Sequence, residues 1–159
     1  MNMIEATFSH ADIVGKIHSL AWRQAYEEIF PAEYIAADTP ENRKKEFLDA
    51  LQTDNHKYYL VYEKDECVGV VKVVVENKIS EIASIYFLKE FCGKGFGSKV
   101  LMLLKETYKN YRIVLWTLES NVRARKCYEK NGFVLTGNTR IINRGADFTQ
   151  VQYEYNNYR

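Results

Sequence analysis

The sequence predicts an α/β (α+β) fold: a single domain over 1–159, built on a mixed, mostly antiparallel central sheet of about seven strands with helices on both faces. Three observations carry this reading. Two Val- and Tyr-rich runs separated by Lys64-Asp65-Glu66, and a third after a short turn, have the signature of an antiparallel meander. Helical patterns precede the meander and then alternate with strand patterns after it. Between the two regimes, Gly93-Lys94-Gly95-Phe96-Gly97 sets three of the chain's eight glycines at every second position, just ahead of an apolar-periodic segment.

Taken in order, "MIEATF" reads as a short first strand. "HADIVGKIHSLAWRQAYEEIF" reads as a helix with Ile13, Ile17, Leu20 and Ala21 on one stripe and Trp22, Tyr26, Ile29 and Phe30 on a second. Pro31 interrupts it, and "AEYIAADTPENRKKEFLDAL" predicts one or two further helical pieces around Pro40. "KYYLVYE", "CVGVVKVVVE" and "KISEIASIYFL" are the meander. A helix follows from about Gly97 to Tyr108, with Val100, Leu101, Leu104 and Tyr108 on one face. "RIVLWTL" is apolar enough for a strand buried on both faces. "SNVRARKCYEKNG" is a helix with Ser120 or Asn121 as N-cap and Gly132 beyond its end. "FVLTGNTRIIN" and "FTQVQYEY", joined through "RGAD", are the closing strands.

Composition excludes several classes. The chain has 159 residues, 27% of them charged and 47% hydrophobic, with a net charge of +1, so no nucleic-acid partner is expected. No apolar run reaches the length of a membrane span, and "MNMIEATFSH" lacks the pattern of a secretory signal, so the expectation is a cytoplasmic protein with no membrane partner. The three cysteines are odd in number and widely spaced, which argues for free thiols in a reducing compartment and for no metal site.

The glycines predict an anion site. Without Cβ atoms, successive amides can point the same way and approach a ligand closely, and a helix start adds unpaired N–H groups and a partial positive charge. Together these suit phosphate. The P-loop is excluded because Gly97-Ser98-Lys99 is in the wrong order. The dinucleotide fingerprint is excluded because the spacing is G-x-G-x-G and the preceding strand closes a meander.

A second constellation, Asn121, Ala124, Tyr128, Gly132 and Phe133 in "NVRARKCYEKNGF", joins the glycine stretch and the strand before it. Together these resemble the GNAT acyltransferases, which use acetyl-CoA. The resemblance covers nearly the whole chain in element order, with its motifs between Glu81 and Gly137. It implies that Gly93, Lys94, Gly95, Phe96, Gly97 and Ser98 hold the CoA pyrophosphate, mainly through backbone amides. It implies a strand before the loop that splays from its neighbour, with Ile85 and Phe87 as backbone partners of the pantetheine arm. The family usually carries Arg or Gln where this chain has Cys92. No metal is implied.

The resemblance also assigns chemistry. Tyr128 stands where the family keeps the general acid that returns a proton to sulfur; its stripe with Ala124 and Cys127 also suits a core aromatic. Glu81 stands where the family often keeps a base. Strict alternation would put Glu81, Ala83, Ile85 and Phe87 on one face of the strand, and an unpaired carboxylate there should meet a polar cleft or water. A solvated strand-end glutamate is the other reading, and a substrate amine of low pKa would need no base. Asn121 is a helix cap that in the family also touches the CoA arm or holds the splayed strands. The Phe87 N–H is the candidate oxyanion donor. Cys127 has no motif that would make it a nucleophile.

The acceptor side is implied to be the first two helices and the final hairpin. Trp22, Tyr26 and Tyr34 are its candidates, although Trp22 and Tyr26 also suit simple inward packing, and Glu27, Glu28 or Glu33 would attract a cationic amine. The function implied is an N-acetyltransferase acting on a primary amine of a small molecule or a protein. A CoA-binding sensor or interaction module on the same fold, and transfer of a longer acyl group, are the alternatives; monomer and homodimer are both open.

Overall fold

Valine and tyrosine dominate the middle of the chain, and β-branched and aromatic side chains fit a pleated, packed surface. There the computed structural model, which describes residues 1–157, has three antiparallel strands: β2 (His56–Glu63), β3 (Glu66–Glu76) and β4 (Ile79–Phe87). Around them stand β1 (Asn2–Glu5), α1 (Ala11–Tyr26), α2 (Ala32–Ala36) and α3 (Pro40–Ala50) before, and α4 (Phe96–Thr107), β5 (Arg112–Leu118), α5 (Val122–Lys130), β6 (Val134–Asn143) and β7 (Asp147–Asn156) after. The strands form one seven-stranded sheet in the order β1-β2-β3-β4-β5-β7-β6. Every neighbouring pair is antiparallel except β4 with β5.

That one parallel pairing is short. Ile79 to Ile82 pair with Arg112 to Leu115, and beyond this the two strands no longer share a ladder, although β4 runs on to Phe87 and β5 to Leu118. The sheet therefore forks after Ile82, as a splayed strand requires.

Helices cover both faces. On one, Val100, Leu101 and Leu104 of α4 and Tyr128 of α5 pack on Val71, Val73 and Ile82. On the other, Val14, Ile17 and Ala21 of α1 and Phe47 of α3 pack on Tyr58, Leu60 and Val70. α1 and α3 approach so closely at Gly15 that a Cβ there would lie 2.5 Å from the Pro40 carbonyl oxygen. Among the described residues no helix is long and apolar enough to cross a membrane.

Two sequence expectations need correcting. The first helix ends at Tyr26 rather than continuing to Phe30, so Ile29 leaves the second stripe and is 42% exposed, while Phe30 folds back against Trp22. The larger correction concerns β4. Its pairing with β3 jumps from Val73–Ile82 to Lys72–Ser84 and leaves Ala83 as a bulge. A bulge inserts one residue and breaks the alternation of faces. Ile82 and Ile85 consequently share one core cluster, and Glu81 no longer lies on the face of Ile85 and Phe87.

His18 on α1 is fully buried between Tyr58 and Tyr86, with ring centroids 6.4 and 5.9 Å away. Neither ring nitrogen has a hydrogen-bond partner among the described residues. Burial, reinforced by Arg43 and Lys72, holds its pKa well below the usual 6.5. The folded protein therefore keeps His18 neutral where the unfolded chain would protonate it. Its contribution is complete above pH ~6.5 and is lost as pH falls, at up to about 1.4 kcal/mol per pH unit for one proton. Urea melts between pH 7 and 5 should show this slope, and His18→Leu should flatten it.

Candidate active site

The fork between β4 and β5 has a cavity on each side. The first, about 610 Å³, is bounded by the glycine loop, by Ile85 and Phe87 of β4, and by Asn121, Ala124 and Tyr128. The second, about 520 Å³, is bounded by α1, α2, the β6–β7 hairpin and the opposite face of β4. The bulge at Ala83 sorts β4 between them: Ile85 and Phe87 line the first, Glu81, Ser84 and Tyr86 the second.

In the glycine loop, Gly93 and Gly95 have φ of 78° and 86°, which favour glycine because an L side chain is strained there. Gly95 is the residue before the first turn of α4, no side chain caps that turn, and a Cβ on Gly95 would meet nothing within 4 Å. The loop thus presents backbone to open space at a helix start, a geometry suited to an anion. Phe96 is buried and stacks on Phe87 at 6.2 Å, which ties the loop to the end of β4. The Ser98 hydroxyl accepts a bond from Asn131 Nδ2 at 3.0 Å, and Ser98 lines the cavity. Lys94 turns aside over the Phe91 ring at 5.5 Å and is not in the cavity wall.

Cys92 is exposed, its thiol directed at the carbonyls of Phe87 and Leu88 at 3.7 and 3.6 Å. A cation that sequence reasoning missed stands over the loop instead: a Cβ on Gly93 would lie 2.5 Å from Arg123 Nη2. Lys89, Arg123, Lys126 and Lys130 all line this cavity, and among the described residues no carboxylate does. The available signal was helical spacing, since the first turn of α5 and the glycine loop face the same opening.

α5 is held firmly. Asn121 Oδ1 accepts the Ala124 N–H at 3.1 Å, and Asn131 joins its end to Ser98. Tyr153 donates to Glu129 at 2.6 Å and accepts from Arg125 Nε at 3.0 Å, pinning the outer face of α5 to β7. These bonds set the inward angle of Tyr128, whose ring lies against Phe133 and Tyr153. Among the described residues its hydroxyl has no protein hydrogen-bond partner, although the residue is only 9% exposed. Burial, then repulsion from Tyr26 and Cys127, raises its pKa above the usual 10, so the phenol is protonated at neutral pH.

The second cavity has aromatic walls. Trp22 is buried among Phe30, Tyr26 and Tyr34, so it both packs inward and lines the cavity. Tyr26 and Tyr34 also line it, and the Tyr26 hydroxyl is 3.2 Å from that of Tyr86. Tyr86 went unnoticed in the sequence because it looks like one more apolar residue of a strand. Glu81 lies one rung before the fork and is half-buried at the cavity wall. Glu27, Glu28 and Glu33 do not line it: all three are exposed, and Glu27 pairs with Lys89 at 3.5 Å. The charges that do line it, Asp38, Arg43, Arg140 and Arg144, were not singled out from sequence.

Comparison with known proteins agrees with this architecture. An uncharacterized acetyltransferase of Streptococcus pyogenes serotype M3 is 29% identical over 90 residues, 56% of this chain and 63% of that protein; the chain thus matches less than two thirds of the length of that relative. The fold is shared with the PaiA N-acetyltransferase of Thermoplasma acidophilum in complex with coenzyme A (17% identity, 98% of this chain and 100% of that one, TM-score 0.74). It is shared also with RimL, a ribosomal L7/L12 alpha-N-protein acetyltransferase in complex with coenzyme A (21% identity, 96% and 92%, TM-score 0.77). With residues 17–133 matching the family as a whole, the chain belongs to the acetyltransferase (GNAT) family.

Proposed function

We propose that the protein is an N-acetyltransferase that moves the acetyl group of acetyl-CoA to a primary amine by direct attack. The observation that carries this reading is the fork, with an anion-suited, cationic cavity on one side and an aromatic, polar one on the other. A donor and an acceptor entering from opposite faces of a sheet can meet only where the sheet is open.

Acetyl-CoA supplies an activated acyl group as a thioester. The amides of Gly93 to Ser98 hold its diphosphate, and Arg123 supplies the charge that Cys92 does not. Ile85 and Phe87 offer backbone groups to the pantetheine arm, and the Phe87 N–H faces the developing oxyanion. The amine nitrogen forms a bond to the acyl carbon as the carbon–sulfur bond breaks. Tyr128 gives its proton to the departing sulfur, and the proton shed by nitrogen leaves by way of Glu81 and water. Tyr128 is in its donor form at neutral pH; burial weakens it as an acid, a cost set against the factor of about 10²–10⁴ in rate that general acid catalysis contributes.

Titration with CoA should raise the melting temperature; ligand at 100 times its dissociation constant adds about 2.7 kcal/mol. Arg123→Ala should weaken CoA about tenfold or more, the value of a charge-assisted bond. An unshifted melt at millimolar CoA would reject the cofactor assignment. Tyr128→Phe should reduce turnover about 10²-fold or more while calorimetry finds CoA affinity nearly intact; undiminished turnover would remove the acid role. Glu81→Gln should displace the acidic limb of the pH–rate profile, and an identical profile would clear Glu81 as the base.

A further inference from the structure

The charges in the acceptor cavity do not suit a cationic amine. Of its three arginines, Arg43 is neutralised from below, 2.8 Å from Asp38 and 3.3 Å from Glu46. Arg140 and Arg144 have no carboxylate within ion-pair distance among the described residues. Both come from the end of β6 and its turn, four residues apart, and Glu81 is the one remaining carboxylate at the wall.

Arg140 is held ready for a planar anion. Its Nε donates to Gln150 Oε1 at 2.7 Å, and its guanidinium carbon sits over the Trp116 ring, 4.3 Å from the centroid. These contacts anchor the side chain and leave its two terminal nitrogens without a hydrogen-bond partner among the described residues. Arg144 spends one nitrogen on the Asn143 carbonyl at 2.8 Å. Burial and the neighbouring Arg144 both act to lower the Arg140 pKa, with Glu81 opposing, so the two guanidiniums feel each other and Arg140 also feels Glu81. Two like charges turned into one cleft are relieved by an anion bound there. The hairpin tip is itself fixed: a Cβ on Gly145 would lie 2.9 Å from Pro31 and 3.2 Å from Tyr34 Cβ, so the turn is seated on α2 and roofs the cavity.

We propose that the acceptor is a free α-amino acid or a close acidic analogue, its carboxylate held by Arg140 and Arg144, its amine at Glu81 beside the fork, and its apolar side chain against Trp22, Tyr26 and Tyr34. This rests on the acetyl-transfer reading and names its substrate class. Arg140, Arg144 and Glu81 line the same cavity, which suits a ligand that carries both a carboxylate and an amine. A polyamine brings only positive charge to the two arginines, and a protein N-terminus has its first carboxyl already in an amide, so neither satisfies them.

The test is thiol release from acetyl-CoA with common amino acids, their methyl esters and spermidine, paired with calorimetry of the same amines on CoA-saturated protein. The ester amine is the less basic, so intrinsic reactivity at neutral pH favours the ester and a preference for the free acid reports binding. The expected result is kcat/KM for a free amino acid at least about tenfold above its ester, carried mainly by KM, and collapsing toward equality in Arg140→Gln and Arg144→Gln. Esters or spermidine used as well as the free acids, or a preference untouched by both substitutions, would overturn the assignment and leave acetyl transfer standing. Arg140-dependent binding of a free amino acid without any thiol release would uphold the anion site and overturn acetyl transfer instead. The absence of both binding and turnover for every free amino acid would overturn the assignment outright.

Discussion

The separation of β4 from β5 after Ile82 and Leu115 is the constraint on which the rest depends. A continuous sheet would be a wall, with every backbone group of β4 committed to a ladder. Where the ladder stops, the amides and carbonyls of β4 from Ala83 to Phe87 that face β5 are released to a ligand, and the two faces communicate. The core holds this opening without filling it: α4 and α5 close over one side, α1 and the β6–β7 hairpin over the other.

The bulge at Ala83 acts on the same strand and divides it by function. Without the extra residue, Glu81 would share a face with Ile85, and the carboxylate would project toward the cationic cavity beside the glycine loop. With it, Glu81, Ser84 and Tyr86 turn to the aromatic cavity while Ile85 and Phe87 stay with the loop. One irregular residue thus keeps a negative charge away from the surface proposed to receive a diphosphate, and places it where an amine would be.

Charge is distributed to match. Among the described residues the loop cavity has four lining cations and no carboxylate, and the aromatic cavity pairs Asp38 with Arg43 and leaves two arginines on the hairpin without an ion-pair partner. A net charge of +1 for the whole chain conceals this, since the positive excess lining the two clefts is offset by a net negative charge on the remaining residues. Arg123 shows the same principle locally. Its guanidinium reaches the loop from α5, whereas the family's usual Arg or Gln would reach it from the Cys92 position.

The order of elements, the meander, the glycine turn and the capped helix bearing Tyr128 were all legible in the sequence, because each depends on residues within a few positions of one another. Val and Tyr pattern the strands, Gly93 and Gly95 permit positive φ, and Asn121 caps the turn that starts three residues before Ala124 ends it. The alternation along β4 was misread, because a bulge is decided by how β3 pairs across the sheet and leaves no mark in β4 alone. The arginines of both cavities were passed over for a related reason. Arg123 meets Gly93, and Arg140 meets Trp116 and Gln150, only after strands and helices distant in sequence have packed. Local backbone preference was the sequence's to determine; the facing of each charge, which needs a long-range register to exist first, belonged to the tertiary structure.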